Sequence, residues 1–182
     1  LLEVIRQRGY KVNRLAAHVQ HAKAAIKNIV NQMHDAQPEP AHAAWLGSTW
    51  QADAQETAAI LAPLQPDWLV VDHYALDQRW EEALAPHCRQ LLVIDDLADR
   101  PHRCDLLLDQ NLGRQPQDYA ALVPAHCRRL IGPHFALLRP EFAALRPYSL
   151  QRRQARPAVR QLLITMGGID QLNATGQVLQ TL

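Results

Sequence analysis

Three short and almost unbroken apolar runs mark the middle of the chain, and each one ends in polar residues. They are Asp67-Trp68-Leu69-Val70-Val71-Asp72, Gln90-Leu91-Leu92-Val93-Ile94-Asp95 and Cys104-Asp105-Leu106-Leu107-Leu108-Asp109. A strand with one wet face alternates apolar and polar residues, whereas a strand covered on both faces reads as a continuous apolar run. The three runs therefore predict parallel strands covered on both faces. Residues 76–85 have helical spacing and Pro86 closes them, which fits a helix between the first two strands. Arg128-Arg129-Leu130-Ile131-Gly132 predicts a fourth, less apolar strand.

The flanks carry other patterns. Residues 51–62 have helical periodicity through Ala54, Ala58 and Leu61, with Pro63 and Pro66 after them. Leu1 to Arg6 reads as the end of an amphipathic helix stopped by Gly9, and 11–15 as a short strand. Residues 16–40 are the least legible, combining a possible helix at 18–33 with a loop around Pro38 and Pro40. Residues 146–160 hold several Arg and Gln, Pro147 and Pro157, and no apolar stripe; they read as an exposed linker. Gln161-Leu162-Leu163-Ile164-Thr165 then predicts a strand, Met166-Gly167-Gly168 a turn, and the residues beyond a helix. The expected organisation is an α/β domain over 1–147, a linker over 148–160, and the start of a second domain over 161–182. Both ends read as cut, because the chain opens on Leu1 and closes inside a helical pattern.

Composition narrows the functional classes. A chain that is 48% hydrophobic and 20% charged can fold around a core. The formal net charge of +1 offers no strong field for nucleic acid or an anionic membrane. No apolar run approaches the roughly 20 residues of a membrane helix. Leu1 to Tyr10 lacks the apolar core of a secretion signal. Three cysteines, Cys88, Cys104 and Cys127, have no framework spacing and read as free thiols of a reducing, cytoplasmic compartment.

Ligands of parallel sheets lie outside the carboxyl ends of the strands, so the strand-end clusters are the candidate chemistry. Asp72-His73-Tyr74 combines a carboxylate, an imidazole that titrates near neutrality and a phenol that can donate to an oxygen. The same triplet could instead only order a loop. Asp95-Asp96 could hold a divalent cation, but no third carboxylate has metal spacing, which favours loop ordering or a helix cap. The third run ends in Asp109-Gln110-Asn111. Met166-Gly167-Gly168-Ile169-Asp170 could let a diphosphate approach the backbone ahead of a helix, or be a tight turn with Asp170 as the cap. His87-Cys88, His102-Arg103-Cys104 and His126-Cys127 have zinc-ligand types without zinc spacing. His18 and His21 read as a solvated face, and Asn173-Ala174-Thr175 as a chance glycosylation match.

Taken in order, Asp72-His73-Tyr74, Val93-Ile94-Asp95-Asp96-Leu97-Ala98-Asp99-Arg100, His102, and Cys104 through Asn111 form a longer pattern. It continues through Asp118-Tyr119, Leu122-Val123-Pro124, Gly132-Pro133, Ala136-Leu137-Leu138-Arg139-Pro140-Glu141-Phe142 and Met166-Gly167-Gly168-Ile169-Asp170. The pattern, over about 45–170, resembles the UDP-sugar hydrolases of pseudaminic acid biosynthesis. The resemblance implies twin Rossmann-like domains of the glycosyltransferase B type, with the substrate between them. It implies cleavage of the anomeric carbon–oxygen bond by water, releasing UDP, with no metal and no cofactor. Tyr74 would lie at the substrate, with Asp72 and His73 supporting its loop. Asp95, Asp96, Asn111, Met166, Gly167, Gly168 and Asp170 would contribute to substrate binding. The partner would be the UDP-sugar alone, with no nucleic acid and no membrane, and the protein a cytoplasmic monomer.

Two departures from that pattern matter. The family's Gly-x-Gly-His motif, which carries its catalytic base, occurs nowhere in this sequence, and the nucleotide-binding domain is represented only by its opening. The chain alone is therefore expected to be inactive or nearly so. Ile169 stands where the family usually has a small hydroxyl residue. The rival readings are a glycosyltransferase that uses an acceptor instead of water, and a UDP-sugar-binding module without catalysis.

Overall fold

The computed structural model describes residues 2–15, 38–155, 158–167 and 170–182. The possible helix at 18–33, with His18 and His21, and Gly168 and Ile169 lie outside them. The chain divides into two compact units, Leu1–Leu137 and Leu138–Leu182.

The first unit is an α/β fold of Rossmann-like type. Its strands are β1 (Trp68–Val71), β2 (Gln90–Ile94), β3 (Leu106–Asp109) and β4 (Arg128–Ile131), side by side in the order β1-β2-β3-β4. Every pairing is parallel, and the register sets Val71 beside Val93, Val93 beside Leu107, and Leu107 beside Arg129. The helices are α1 (Leu2–Gln7), α2 (Trp50–Leu61) and α3 (Gln78–Leu84). Thr49 caps α2 by accepting from the Ala52 N–H, and Asp77 caps α3 by accepting from the Arg79 N–H. Each cap satisfies a backbone donor that the first helical turn leaves open.

The core lies on one face of the sheet. Val71, Leu91, Val93 and Leu107 pack there with Ala54 and Leu61 of α2, Trp80 and Leu84 of α3, and Tyr119. The Trp80 indole N–H donates to Asp53 Oδ1 at 2.8 Å, joining α3 to α2. The other face departs from expectation. On the edge strand β1, Trp68 is 43% and Val70 56% exposed, so β1 is open on the second face, whereas Leu108 of β3 is buried there. The connection from β2 to β3 contains no helix.

The short strand expected at 11–15 is absent: these residues are described and irregular. The second unit contains α4 (Pro140–Ala155) and α5 (Ala174–Thr181). Helix α4 runs through residues that read as linker. It buries no side chain, so no apolar stripe announced it, but its Arg, Gln, Ala and Leu are good helix formers. Its first residue is Pro140, where a missing N–H costs nothing, and Pro147 lies inside it. The strand expected at 161–165 is irregular chain, with Leu162 and Leu163 exposed. A strand needs a neighbour for its ladder, and no described residue of this unit supplies one.

Candidate functional site

The register that places Ile94 beside Leu108 also brings Asp95 level with Asp109, at the carboxyl ends of β2 and β3. Both side chains are fully buried, so two carboxylates meet away from water and require partners. The Tyr119 hydroxyl lies 2.9 Å from Asp95 Oδ2 and 2.8 Å from Asp109 Oδ2, and its one hydrogen serves both. Asp95 also accepts from the Ala98 N–H at 2.9 Å and faces Arg100 Nη1 at 2.8 Å. Arg100 in turn donates to Asp99 and to the Leu76 carbonyl, which reaches the segment after β1. Asp109 accepts from the Asn111 N–H at 2.9 Å and from Arg114 Nε at 3.0 Å.

A second buried pair lies beside this one. Glu81 of α3 accepts from the backbone N–H of Arg103 and meets His102 Nδ1 at 2.7 Å. His102 Nε2 points toward Asp95 Oδ2, 4.0 Å away. Each buried carboxylate is thus matched by a cation, an imidazole or a hydroxyl. These groups order the strand-end loops from within.

Asp95 carries the pH dependence of this arrangement. Burial disfavours its charged form, but the Ala98 N–H, Arg100, His102 and Tyr119 outweigh burial and hold its carboxyl below the ordinary range. A carboxyl lowered on folding contributes stability above its unfolded pKa, about 3.9, and loses it as pH falls through the folded value. Urea midpoints measured from pH 7 to pH 2 are therefore expected to hold down to about pH 4 and then fall. With Asp95→Asn the acid-side decline should be shallower. An unchanged acid-side slope in that variant would count against the assignment.

Above the buried layer is an open one. Tyr74, in the loop after β1, donates its hydroxyl to Asp96 Oδ2 at 3.0 Å. That hydrogen bond, then burial, then the charges of Asp96, Asp72 and Asp95 raise the Tyr74 pKa, so it remains a phenol. Arg114 Nη2 donates to the Asp96 carbonyl at 2.6 Å while its Nε holds Asp109. Asp96 therefore links the loops that follow β1, β2 and β3. Gln110 extends the linkage past β4 by accepting from the Leu137 N–H at 2.7 Å. Asn111 is exposed on the rim of an open hollow of about 620 Å³, shared with Leu112, Gly113, Arg114 and Asp118.

The remaining expected site residues divide by environment. Asp72 is exposed at the end of β1. His73 Nδ1 accepts from the Ala75 N–H at 3.1 Å, so the neutral ring carries its proton on Nε2. In that form His73 can donate to a ligand but offers no free nitrogen to a water. Asp95 and Asp96 diverge, one toward Ala98 and Tyr119 and the other toward Tyr74, so they do not form a joint cation site. Asp95 presents no oxygen to solvent.

Met166, Gly167 and Asp170 belong to the second unit. Gly167 has φ +80°, and an added Cβ would meet nothing within 4 Å. Asp170 accepts from the Ala174 and Thr175 N–H groups, both at 2.8 Å, at the start of α5. Hydrogen bonds from Thr175 and Ala174 hold its carboxyl below the usual range, but the N-cap of α5 is Asn173, whose side chain accepts from the Gly176 N–H. Cys104 and Cys127, from different His-Cys neighbourhoods, are free thiols with Sγ atoms 3.5 Å apart. Among the described residues no group of three His, Cys, Asp or Glu could hold a metal ion, and no helix is long and apolar enough to cross a membrane.

Sequence reasoning missed Tyr119, Glu81 and Arg114 as organisers of the site. A signal was present: two aspartates ending adjacent apolar strands must share a buried partner. It also missed His42, whose ring centroid is 4.4 Å from Trp45 and 5.6 Å from Tyr74.

No protein-family model matches the chain. It is similar to the UDP-2,4-diacetamido-2,4,6-trideoxy-beta-L-altropyranose hydrolase of Campylobacter jejuni, with 30% identity over 110 residues. That stretch is 60% of this chain and 38% of the relative, so the chain spans well under half of the relative's length.

Proposed function

We propose that the protein is a hydrolase that releases UDP from a UDP-activated 2,4-diacetamido-2,4,6-trideoxy sugar, as in pseudaminic acid biosynthesis. The observation that carries this reading is the junction at Asp96, where the Tyr74 phenol meets its carboxylate and the Arg114 guanidinium its carbonyl, at the carboxyl ends of parallel strands. The 30% identity over 110 residues to a UDP-sugar hydrolase supports it. In the proposed reaction the anomeric carbon–oxygen bond breaks and UDP leaves with the bonding electrons. Water oxygen bonds to the anomeric carbon and gives its proton to a base.

Within this chain the Tyr74 hydroxyl would turn its one hydrogen from Asp96 to a sugar or phosphate oxygen. Asp72 and His73 would shape its loop, with His73 Nε2 as a second donor. Asp96 and Asn111 would contact the sugar, and Asp95 would hold their loops from below. Met166, Gly167, Gly168 and Asp170 would form the diphosphate turn of a second Rossmann-like domain. Neither Tyr74, kept protonated, nor His73, with Nδ1 engaged, is suited to activate the water. The protein would act on this small substrate as a cytoplasmic monomer, without nucleic acid or membrane.

The test is UDP release from that nucleotide sugar. The chain alone is expected to be at least about 10²-fold slower than the Campylobacter relative, because a positioned base contributes about 10²–10⁴-fold and this sequence has no Gly-x-Gly-His motif. A chimera of the relative that carries this chain's segment in place of its matching 110 residues should release UDP. In that chimera Tyr74→Phe should lower kcat about 10-fold or more, the loss of one transition-state donor. A chimera that folds and binds UDP without releasing it would sink the reading. Turnover only with a sugar acceptor would make the protein a transferase.

A further inference from the structure

We propose that His42 and Trp45, together with the ring of Tyr74, form the floor on which the pyranose ring of the substrate rests. This rests on the nucleotide-sugar reading and adds to it a binding surface from a part of the chain outside the strand-end loops.

The local sequence builds the floor. His42 precedes a single 3-10 turn, Ala43–Leu46, which Gly47 ends in the left-handed conformation at φ 72°. Thr49 then starts α2. Leu46 and Trp50 pack against the core and fix the turn at two points. Trp45, between them, points outward and is 63% exposed. An exposed aromatic residue alone needs no explanation, but this one is part of a cluster. The three ring centroids lie 4.4, 5.6 and 5.9 Å apart. Nearby Trp50 is treated differently: it is half-buried, and the Arg79 guanidinium covers it at 5.6 Å. Among the described residues the ring neighbours of Trp45 are His42 and Tyr74.

The angles select the occupant. The rings are tilted to one another by 40°, 47° and 62°, so no two of them form the walls of a parallel-sided slot. A flat nucleobase gains most between parallel faces, whereas a puckered sugar presents axial C–H bonds and methyl groups that can meet rings set at different angles. One edge of the ring cluster is polar, because the Tyr74 hydroxyl is bonded to Asp96. An apolar floor with a few polar groups at the edge is the usual composition of a small-molecule site. Trp45 would take the less polar face of a 6-deoxy, N-acetylated sugar, while Tyr74 orients its oxygens.

The test uses this chain labelled with ¹⁵N. It has four tryptophans, and the indole signal missing from Trp45→Phe identifies Trp45. The probes are the nucleotide sugar named for the Campylobacter relative, and UDP. The nucleotide sugar is expected to move the Trp45 signal and UDP to leave it in place. Trp45→Ala, which should melt as the parent does, is expected to bind the nucleotide sugar about tenfold more weakly, with Trp45→Phe recovering most of the loss. UDP moving the signal as far as the nucleotide sugar would overturn the proposal in favour of a nucleobase platform. No movement with millimolar nucleotide sugar, or unchanged binding in Trp45→Ala, would overturn it outright. UDP release is scored separately in the chimera. A Trp45 response without release removes hydrolysis and keeps the floor, while release with unchanged Trp45→Ala binding removes only the floor.

Discussion

Replacing Asp95 by alanine is expected to destabilise the Leu1–Leu137 unit by about 3–5 kcal/mol, the usual consequence of removing one member of a buried ion pair. The cause is what remains behind. Arg100, almost fully buried, loses its 2.8 Å partner and, among the described residues, keeps Asp99 and the Leu76 carbonyl. The Ala98 N–H loses its acceptor, in a residue already held at φ 52°. Tyr119 keeps Asp109, but a cavity opens beside it. Asp95→Asn should lose less, because the amide oxygen can still accept from Ala98 while its NH₂ opposes Arg100. Urea unfolding followed by far-UV circular dichroism measures both. A loss below about 1 kcal/mol for Asp95→Ala, the range of an exposed pair, would mean that the cluster is not sealed from water as described.

Glu81→Ala is the second large effect, at about 2–4 kcal/mol, since it strands the Arg103 N–H and His102 Nδ1 away from solvent. Glu81→Gln discriminates between charge and shape. Its carbonyl oxygen can accept from Arg103 while its NH₂ donates to His102 Nδ1, provided the imidazole moves its proton to Nε2, which faces Asp95 Oδ2 at 4.0 Å. Glu81→Gln is therefore expected to recover more than half of the stability lost in Glu81→Ala. Nitrogen-15 spectra of His102 would show the tautomer change. Equal losses in both variants would show instead that the charge of Glu81, not its hydrogen bonds, is what the fold requires.

The candidate site was legible in part. Asp72-His73-Tyr74, Asp95-Asp96 and Asp109-Gln110-Asn111 stood out as polar residues closing apolar strands, and the structure brings the loops that carry them together. Their division of labour was not legible. Asp95 and Asp96 are neighbours with the same side chain, yet one is buried and the other meets Tyr74. Both follow Ile94, the last residue of β2, so strand alternation does not assign their sides, and the packing of Tyr119 against Asp95 decides which one faces the interior. His42 was invisible because it joins Tyr74 across 32 positions of chain, through ring contacts that no spacing encodes.

The sequence by itself determined the parallel strands, the two helices that cover them and the strand-end location of the polar groups. All of these follow from local periodicity, caps and apolar runs. Tertiary structure alone decided the rest. It left Trp68 and Val70 half open on the second face, and it drew a helix through Pro140–Ala155 where no stripe marked one. It withheld a strand from 161–165, because a ladder needs a partner that propensity cannot supply. It also tied three loops at Asp96, since hydrogen bonds between residues distant in sequence depend on the register of the whole sheet.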